Sequence, residues 1–229
     1  MRTLTAIGHR GDPYRFPENT VLSLRSAFAR GADAVEIDVR STRDGEPVLL
    51  HDETLQRLWG HDVRLDAVTA PQLKELTDGG IPTLREALSA VGAGRVMIDL
   101  PGATPQFVTE VVGQVRECGA RDRVYYCAGP DTMLAVRAAD PGAEIALTWT
   151  TLSPPRRVLI DAVRPAWLNY RFGLVGRELV DALHGEGLLV SAWTADTTWT
   201  MRRLIAAGVD AITTNRVDAL AAVRARPGR

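Results

Sequence analysis

Lysine is nearly missing from this chain. Of its 27 basic residues only Lys74 is a lysine, so a cation placed in a site has to be an arginine, whose planar fork suits two-point recognition of an oxyanion. Cysteine is also scarce. Cys118 and Cys127 are too few for a disulfide framework and lack the paired spacing of a zinc site, so both are read as reduced and structural. No apolar run reaches the roughly 18 residues of a membrane-spanning helix, and no membrane insertion is expected. Met1–Ile7 is shorter than the apolar region of a secretory signal, which makes the expected location cytoplasmic. Charge of one sign is not in excess either: a formal net charge of −1 over 229 residues gives no footprint for nucleic acid. A small-molecule partner is the expectation that remains. With no linker or low-complexity segment in the sequence, residues 1–229 are expected to form one domain.

What the sequence does have is alternation. Apolar runs at 5–8, 34–39, 95–100, 124–127, 144–149, 167–170, 188–193 and 209–213 are separated by segments with apolar residues at three- and four-residue spacing. Those segments, 19–30, 83–91, 104–118, 131–138, 176–185, 197–207 and 218–224, are predicted helices. Strand–helix alternation implies a parallel sheet, and eight units in about 230 residues fit a closed (β/α)8 barrel of the triosephosphate-isomerase type. A ninth run, Pro47–His51, follows Val39 too closely to return as a parallel strand. It is therefore read as an antiparallel excursion off the second strand, spanning 40–81 over the barrel mouth, with 53–81 irregular apart from a helical piece at Pro71–Leu76, and His51-Asp52 carried back toward the mouth.

Alternation within the second strand sets Glu36 and Asp38 on one face and Val35, Ile37 and Val39 on the other. Two carboxylates directed into a barrel need a compensating positive charge. A hard divalent cation supplies one answer, and an arginine-paired cluster supplies another.

Several motifs then occur in a fixed order: His9-Arg10-Gly11 after the first strand, Pro17-Glu18-Asn19-Thr20 at the first helix, Glu36-Ile37-Asp38, His51-Asp52, Ile81-Pro82-Thr83-Leu84, and Ala192-Trp193-Thr194 near the end. Together they resemble the glycerophosphodiester phosphodiesterase family over nearly the whole chain. The resemblance implies metal-assisted hydrolysis of a glycerophosphodiester, a small-molecule substrate, to glycerol 3-phosphate and an alcohol. His9 and His51 match the acid–base pair, Arg10 the phosphate-binding arginine, and Trp193 an apolar wall for the substrate. Glu36, Asp38 and Asp99 would hold one divalent cation, Mg2+ or Ca2+. Glu18 and Asp52 would orient Arg10 or His9 and His51 from behind, and Asn19 is read as the first helix's N-cap. Trp149, Tyr14, Phe16 and Trp59 are further candidates at the opening.

The third acidic strand departs from the family's Glu-x-Lys. It reads Asp99-Leu100-Pro101, one methylene shorter and without the cation, and Arg171 is the expected substitute. Asn215 likewise stands where the family usually has Asp. Two rival readings follow: a weakened or non-catalytic phosphoester binder, and a lyase of the sphingomyelinase D type. The second would favour secretion, disulfides and lipid-facing apolar loops, and the sequence gives no sign of them.

Overall fold

The computed structural model describes residues 4 to 225. Strand β1 (Thr5–His9) leads through a loop into α1 (Val21–Ala29), followed by β2 (Ala34–Ser41) and a short β3 (Pro47–Leu49). Helices α2 (Gln56–Trp59), α3 (Ala70–Leu76) and α4 (Leu84–Ala90) precede β4 (Arg95–Asp99). Thereafter the order is α5 (Pro105–Glu117), β5 (Val124–Ala128), α6 (Pro130–Ala139), β6 (Ile145–Trp149), α7 (Arg157–Val163) and β7 (Trp167–Arg171). The chain continues through α8 (Arg177–Gly185), β8 (Leu189–Trp193), α9 (Thr198–Ala207), β9 (Ala211–Thr214) and α10 (Val217–Ala225).

Strand β1 pairs in parallel with both β2 and β9, so β1, β2 and β4 to β9 close a ring of eight. The expected barrel is the observed one. Its physical basis is the two-residue period. On β2, Val35, Ile37 and Val39 pack outward into the core shared with the helices, while Glu36 and Asp38 turn inward. The same parity places Val96 and Ile98 outside and Met97 and Asp99 inside on β4. The lower barrel is plugged by Ile7, Ala34, Met97, Tyr125, Ala146 and Trp167, each large buried side chain contributing about 1.5–3 kcal/mol on leaving water. That plug confines any polar site to the mouth.

The excursion also forms as expected at its start: β3 runs antiparallel to β2, pairing Val39 with Leu49 and Ser41 with Pro47. The helical piece at Pro71–Leu76 is observed within α3, and the reading of the rest of 53–81 as irregular is corrected. This segment folds α2, a 3-10 turn at Leu65–Ala67 and α3 around its own apolar cluster, with Leu50, Leu55, Leu65, Leu73 and Ile81 buried. Helix α2 and the 3-10 turn are too short for a helical period to show. Helix α7 was likewise not foreseen, because Pro154-Pro155 and two arginines interrupt the pattern before it.

Candidate active site

The loop after β1 is shaped by close approach. A Cβ on Gly8 would sit 2.7 Å from the Gly11 carbonyl oxygen and 2.9 Å from Ala27 Cβ, and Gly11 has φ +89° with Ser23 against it. Only glycine fits at both. Between them the Arg10 backbone is driven to φ 54°, a conformation an arginine adopts at a cost. It is held there because the Arg10 N–H donates to Glu36 Oε2 at 2.9 Å and its carbonyl accepts from the Asn19 N–H at 3.0 Å and from Ser23 Oγ at 2.9 Å.

The Arg10 side chain is thereby folded over the carboxylates. Its Nε stands 3.0 Å from Asp38 Oδ2, and its Nη1 donates to Glu18 Oε1 at 2.8 Å. Asn19 is not the helix cap expected of it. Thr20 caps α1, its side chain accepting from the Ser23 N–H, whereas Asn19 at φ 59° turns its amide inward and donates to Asp38 Oδ2 at 2.8 Å. A left-handed residue cannot serve as the extended N-cap, and its side chain is freed to orient a ligand candidate.

Glu36, Asp38 and Asp99 each offer a carboxylate oxygen, and the three oxygens lie within 4.8 Å of one another. Burial, with the negative charges of Asp38 and Asp99 beside it, pushes the Glu36 carboxyl well above its ordinary range. Burial, with Asp38, pushes Asp99 up to about 7. Arg10 alone does not neutralise this group. Three hard oxygen donors short of positive charge suit a divalent cation, so the residues present fit the implied metal. The shorter Asp99 still closes the triangle.

Both histidines line the same cavity of about 310 Å³ as Arg10 and the three carboxylates. Their tautomers follow from their partners. Asp196 accepts from Asn215 Nδ2 and from its backbone N–H, both at 2.8 Å, which turns Asn215 Oδ1 toward His9 Nδ1, also at 2.8 Å. His9 Nδ1 therefore donates, and Nε2 carries the lone pair, 3.9 Å from Glu36 Oε2. Burial and the adjacent Arg10 charge lower the His9 pKa. His51 Nδ1 donates to Asp52 Oδ1 at 2.7 Å, leaving its Nε2 free as well.

Sequence reasoning missed the group that joins these parts. Arg57, on α2, donates from Nε to Asp52 Oδ2 at 2.5 Å and from Nη2 to Glu18 Oε1 at 2.6 Å. One guanidinium thus clasps the carboxylate behind His51 and the carboxylate behind Arg10. The Arg57 hydrogen bond leads in drawing Asp52 down to about 2. Burial pushes Glu18 up, but the bonds from Arg57 and Arg10 outweigh it and hold that carboxyl below its ordinary value.

Trp193 lines the cavity with Thr148, Asn169 and Thr213. Trp149 does not: its parity turns it toward the helix-side core, and its Nε1 donates to Ser153 O. Trp59 packs inside the excursion cluster rather than at the opening. Pro101 and Gly102 form part of the cavity wall, and Arg10 is the only arginine or lysine among the described lining residues. Arg171 ends β7, exposed, outside that lining. Cys127 does line the cavity, beneath the acidic cluster; burial raises its thiol pKa, which keeps it protonated beside Asp99.

Residues 9–219 match the model of the glycerophosphoryl diester phosphodiesterase family. A glycerophosphodiester phosphodiesterase of Caldanaerobacter subterraneus is 28% identical, the match covering 96% of this chain and 97% of that protein. Among solved structures, a glycerophosphodiester phosphodiesterase from Thermotoga maritima superposes with a TM-score of 0.83 at 24% identity, covering 99% of this chain and 100% of that one. An Oleispira antarctica phosphodiesterase in complex with the product sn-glycerol-3-phosphate gives 0.87 at 21%, covering 98% of each. These two likenesses speak for the barrel.

Proposed function

This chain belongs to the glycerophosphoryl diester phosphodiesterase family, and from that premise we propose that its mouth cavity hydrolyses glycerophosphodiesters to glycerol 3-phosphate and an alcohol by two-histidine acid–base catalysis with one divalent cation. The observation that carries this reading is the convergence on one cavity of Arg10, two histidines with free Nε2 atoms, and three clustered carboxylates. The product held by the Oleispira antarctica phosphodiesterase agrees in chemical class.

Each residue then has a defined task. Arg10 grips the non-bridging phosphoryl oxygens and offsets charge that grows on them during attack. His9, kept neutral by burial and by Arg10, takes a proton through Nε2 from the attacking water, whose oxygen stays on phosphorus, while Asn215 holds its ring in the required tautomer. As the new P–O bond forms and the old one breaks, His51, entering the step as the imidazolium with Nδ1–H on Asp52, gives its Nε2 proton to the leaving alkoxide and is left neutral, its ring steadied by Asp52 and, through Asp52, by Arg57. Glu36, Asp38 and Asp99 would hold Mg2+ or Ca2+. Such a cation, when bound, supplies neutralisation of a phosphoryl oxygen. Trp193 walls the cavity beside the organic portion of the substrate.

Leaving-group dependence tests the division of labour. With glycerophosphocholine, His9→Ala and His51→Ala should both lose turnover, on the order of 10²-fold or more for an acid or base removed. With a nitrophenyl diester, whose leaving group needs no proton, His51→Ala should recover and His9→Ala should not. Equal recovery of both variants would overturn the assignment.

A further inference from the structure

Among the described residues seven large apolar side chains are exposed. One, Leu134, sits midway along α6. The other six, Tyr14, Leu22, Leu152, Val158, Phe172 and Trp199, all fall in the loop after a barrel strand or in the first two residues of the helix that follows. In a parallel barrel that is the mouth face. They follow β1, β6, β7 and β8, which with β9 are consecutive in the ring. The apolar residues therefore form one arc of the rim, which corrects the expectation that the loops carry no apolar surface, and the excursion hangs from β2 outside it. Exposed apolar residues scattered singly need no explanation, but confinement to one arc around an active-site opening does.

The arc is interleaved with arginine. Arg216 lies 5.3 Å from the Tyr14 ring centroid. Arg203 lies 6.0 Å from that of Trp199, and it donates to Phe172 O and Val175 O, tying the loop after β7 to α9. In the same segments, with Arg171 at the end of β7, Arg15, Arg156, Arg157, Arg171 and Arg177 are exposed, against Glu178 and the half-exposed side chain of Asp218. Arg157 shares its charge with Asp161, and Arg216 shares its own with Asp218 at 3.5 Å. The chain as a whole is close to neutral, so this excess is local.

We propose that this arc docks the barrel mouth onto an anionic lipid surface, so that phosphodiesters enter the cavity from the level of the head groups. Aromatic and aliphatic side chains on separate loops suit partial burial at the head-group boundary, where aromatic rings with a polar edge settle. Exposed arginines are drawn to the negative surface potential. A second copy of the chain would need a continuous complementary face and would close over the opening. Docking stands independently of the catalytic reading, which it needs only for its use.

The test is co-sedimentation of the intact protein with vesicles of phosphatidylcholine alone and with about 30% phosphatidylglycerol. Binding is expected on the anionic vesicles, on the order of tenfold or more weaker on neutral ones, and strongly reduced at high salt. The triple variant Leu152→Asp, Arg156→Glu, Trp199→Asp should lose binding by at least about tenfold while turning over soluble glycerophosphocholine like the parent. Absence of binding to anionic vesicles, equal binding to neutral ones, or binding unchanged in the variant would each overturn the proposal. So would a concentration-dependent dimer that the variant abolishes without any vesicle binding. Failure of the phosphodiesterase reading would look different: intact vesicle binding with no turnover of any diester.

Discussion

Replacing Arg57 by alanine removes the one group among the described residues that touches both supporting carboxylates, while leaving every residue that would meet the substrate in place. The guanidinium side chain is 46% exposed, whereas Glu18 is 12% and Asp52 is 25% exposed. Ion pairs at this degree of solvation are each worth about 0.5–1 kcal/mol. Two of them give about 1–2 kcal/mol of positional restraint, or roughly a 5- to 30-fold population change. If the restraint serves to hold His51 and Arg10 in register, kcat for glycerophosphocholine should fall by about that factor, with KM nearly unchanged. Arg57→Lys should recover only part of it, because one ammonium cannot span two carboxylates as the fork does. In an Asp52→Ala background about half of the further loss should vanish, since the Arg57 pair with Asp52 is already gone while that with Glu18 remains. Comparison near pH 7 is appropriate. With Asp52 depressed to about 2 from 3.8, its contribution is complete above about pH 4 and disappears as pH falls toward 2. A kcat within twofold of the parent, with the fold intact by circular dichroism, would refute the clasp as a determinant of turnover.

Metal-free protein should lose thermal stability as pH rises from about 4 to 7, because carboxyls raised in the folded state, Glu36 and Asp99, bind more protons there than in the unfolded chain. Added Mg2+ or Ca2+ should raise Tm most above pH 7, where protons no longer compete; a Tm indifferent to both pH and divalent cations would contradict the cluster as a cation site. Asn215→Ala takes the acceptor from His9 Nδ1 and should lower kcat about 10- to 100-fold at similar KM, the cost typical of lost outer hydrogen-bond partners at a reactive group. Gly8→Ala forces a Cβ to within 2.7 Å of a backbone oxygen and should destabilise the protein by about 1–3 kcal/mol in urea unfolding; an unchanged midpoint would show that the loop yields.

Much of the fold and part of the site could be read from residue order because they rest on local periods. A two-residue period makes Val35, Ile37 and Val39 face away from Glu36 and Asp38 wherever that strand is placed, and the spacing from Val39 to Pro47 forces an antiparallel return. The inward carboxylates, the antiparallel β3 and the eight-strand ring are consequences of such local rules. Where the local signal was weak, as in the four-residue α2 of the excursion or after Pro154-Pro155, the reading of the sequence fell short.

Other features depend on groups that meet only after the barrel closes. Arg57 reaches Glu18 across 39 positions, Asn19 reaches Asp38 across 19, and His9 reaches Asn215 across 206. No period or motif connects such pairs, because the contact is set by which strands become neighbours and by how far each loop turns. The left-handed backbone at Arg10 is of the same kind, held by hydrogen bonds to Glu36, Asn19 and Ser23. The sequence by itself determined which chemical groups are present and which strand carries each. Only the tertiary structure decided that Asn19 serves the acidic cluster instead of the helix, that Asn215 sets the His9 tautomer, and that one arginine of the excursion clasps the two carboxylates behind Arg10 and His51.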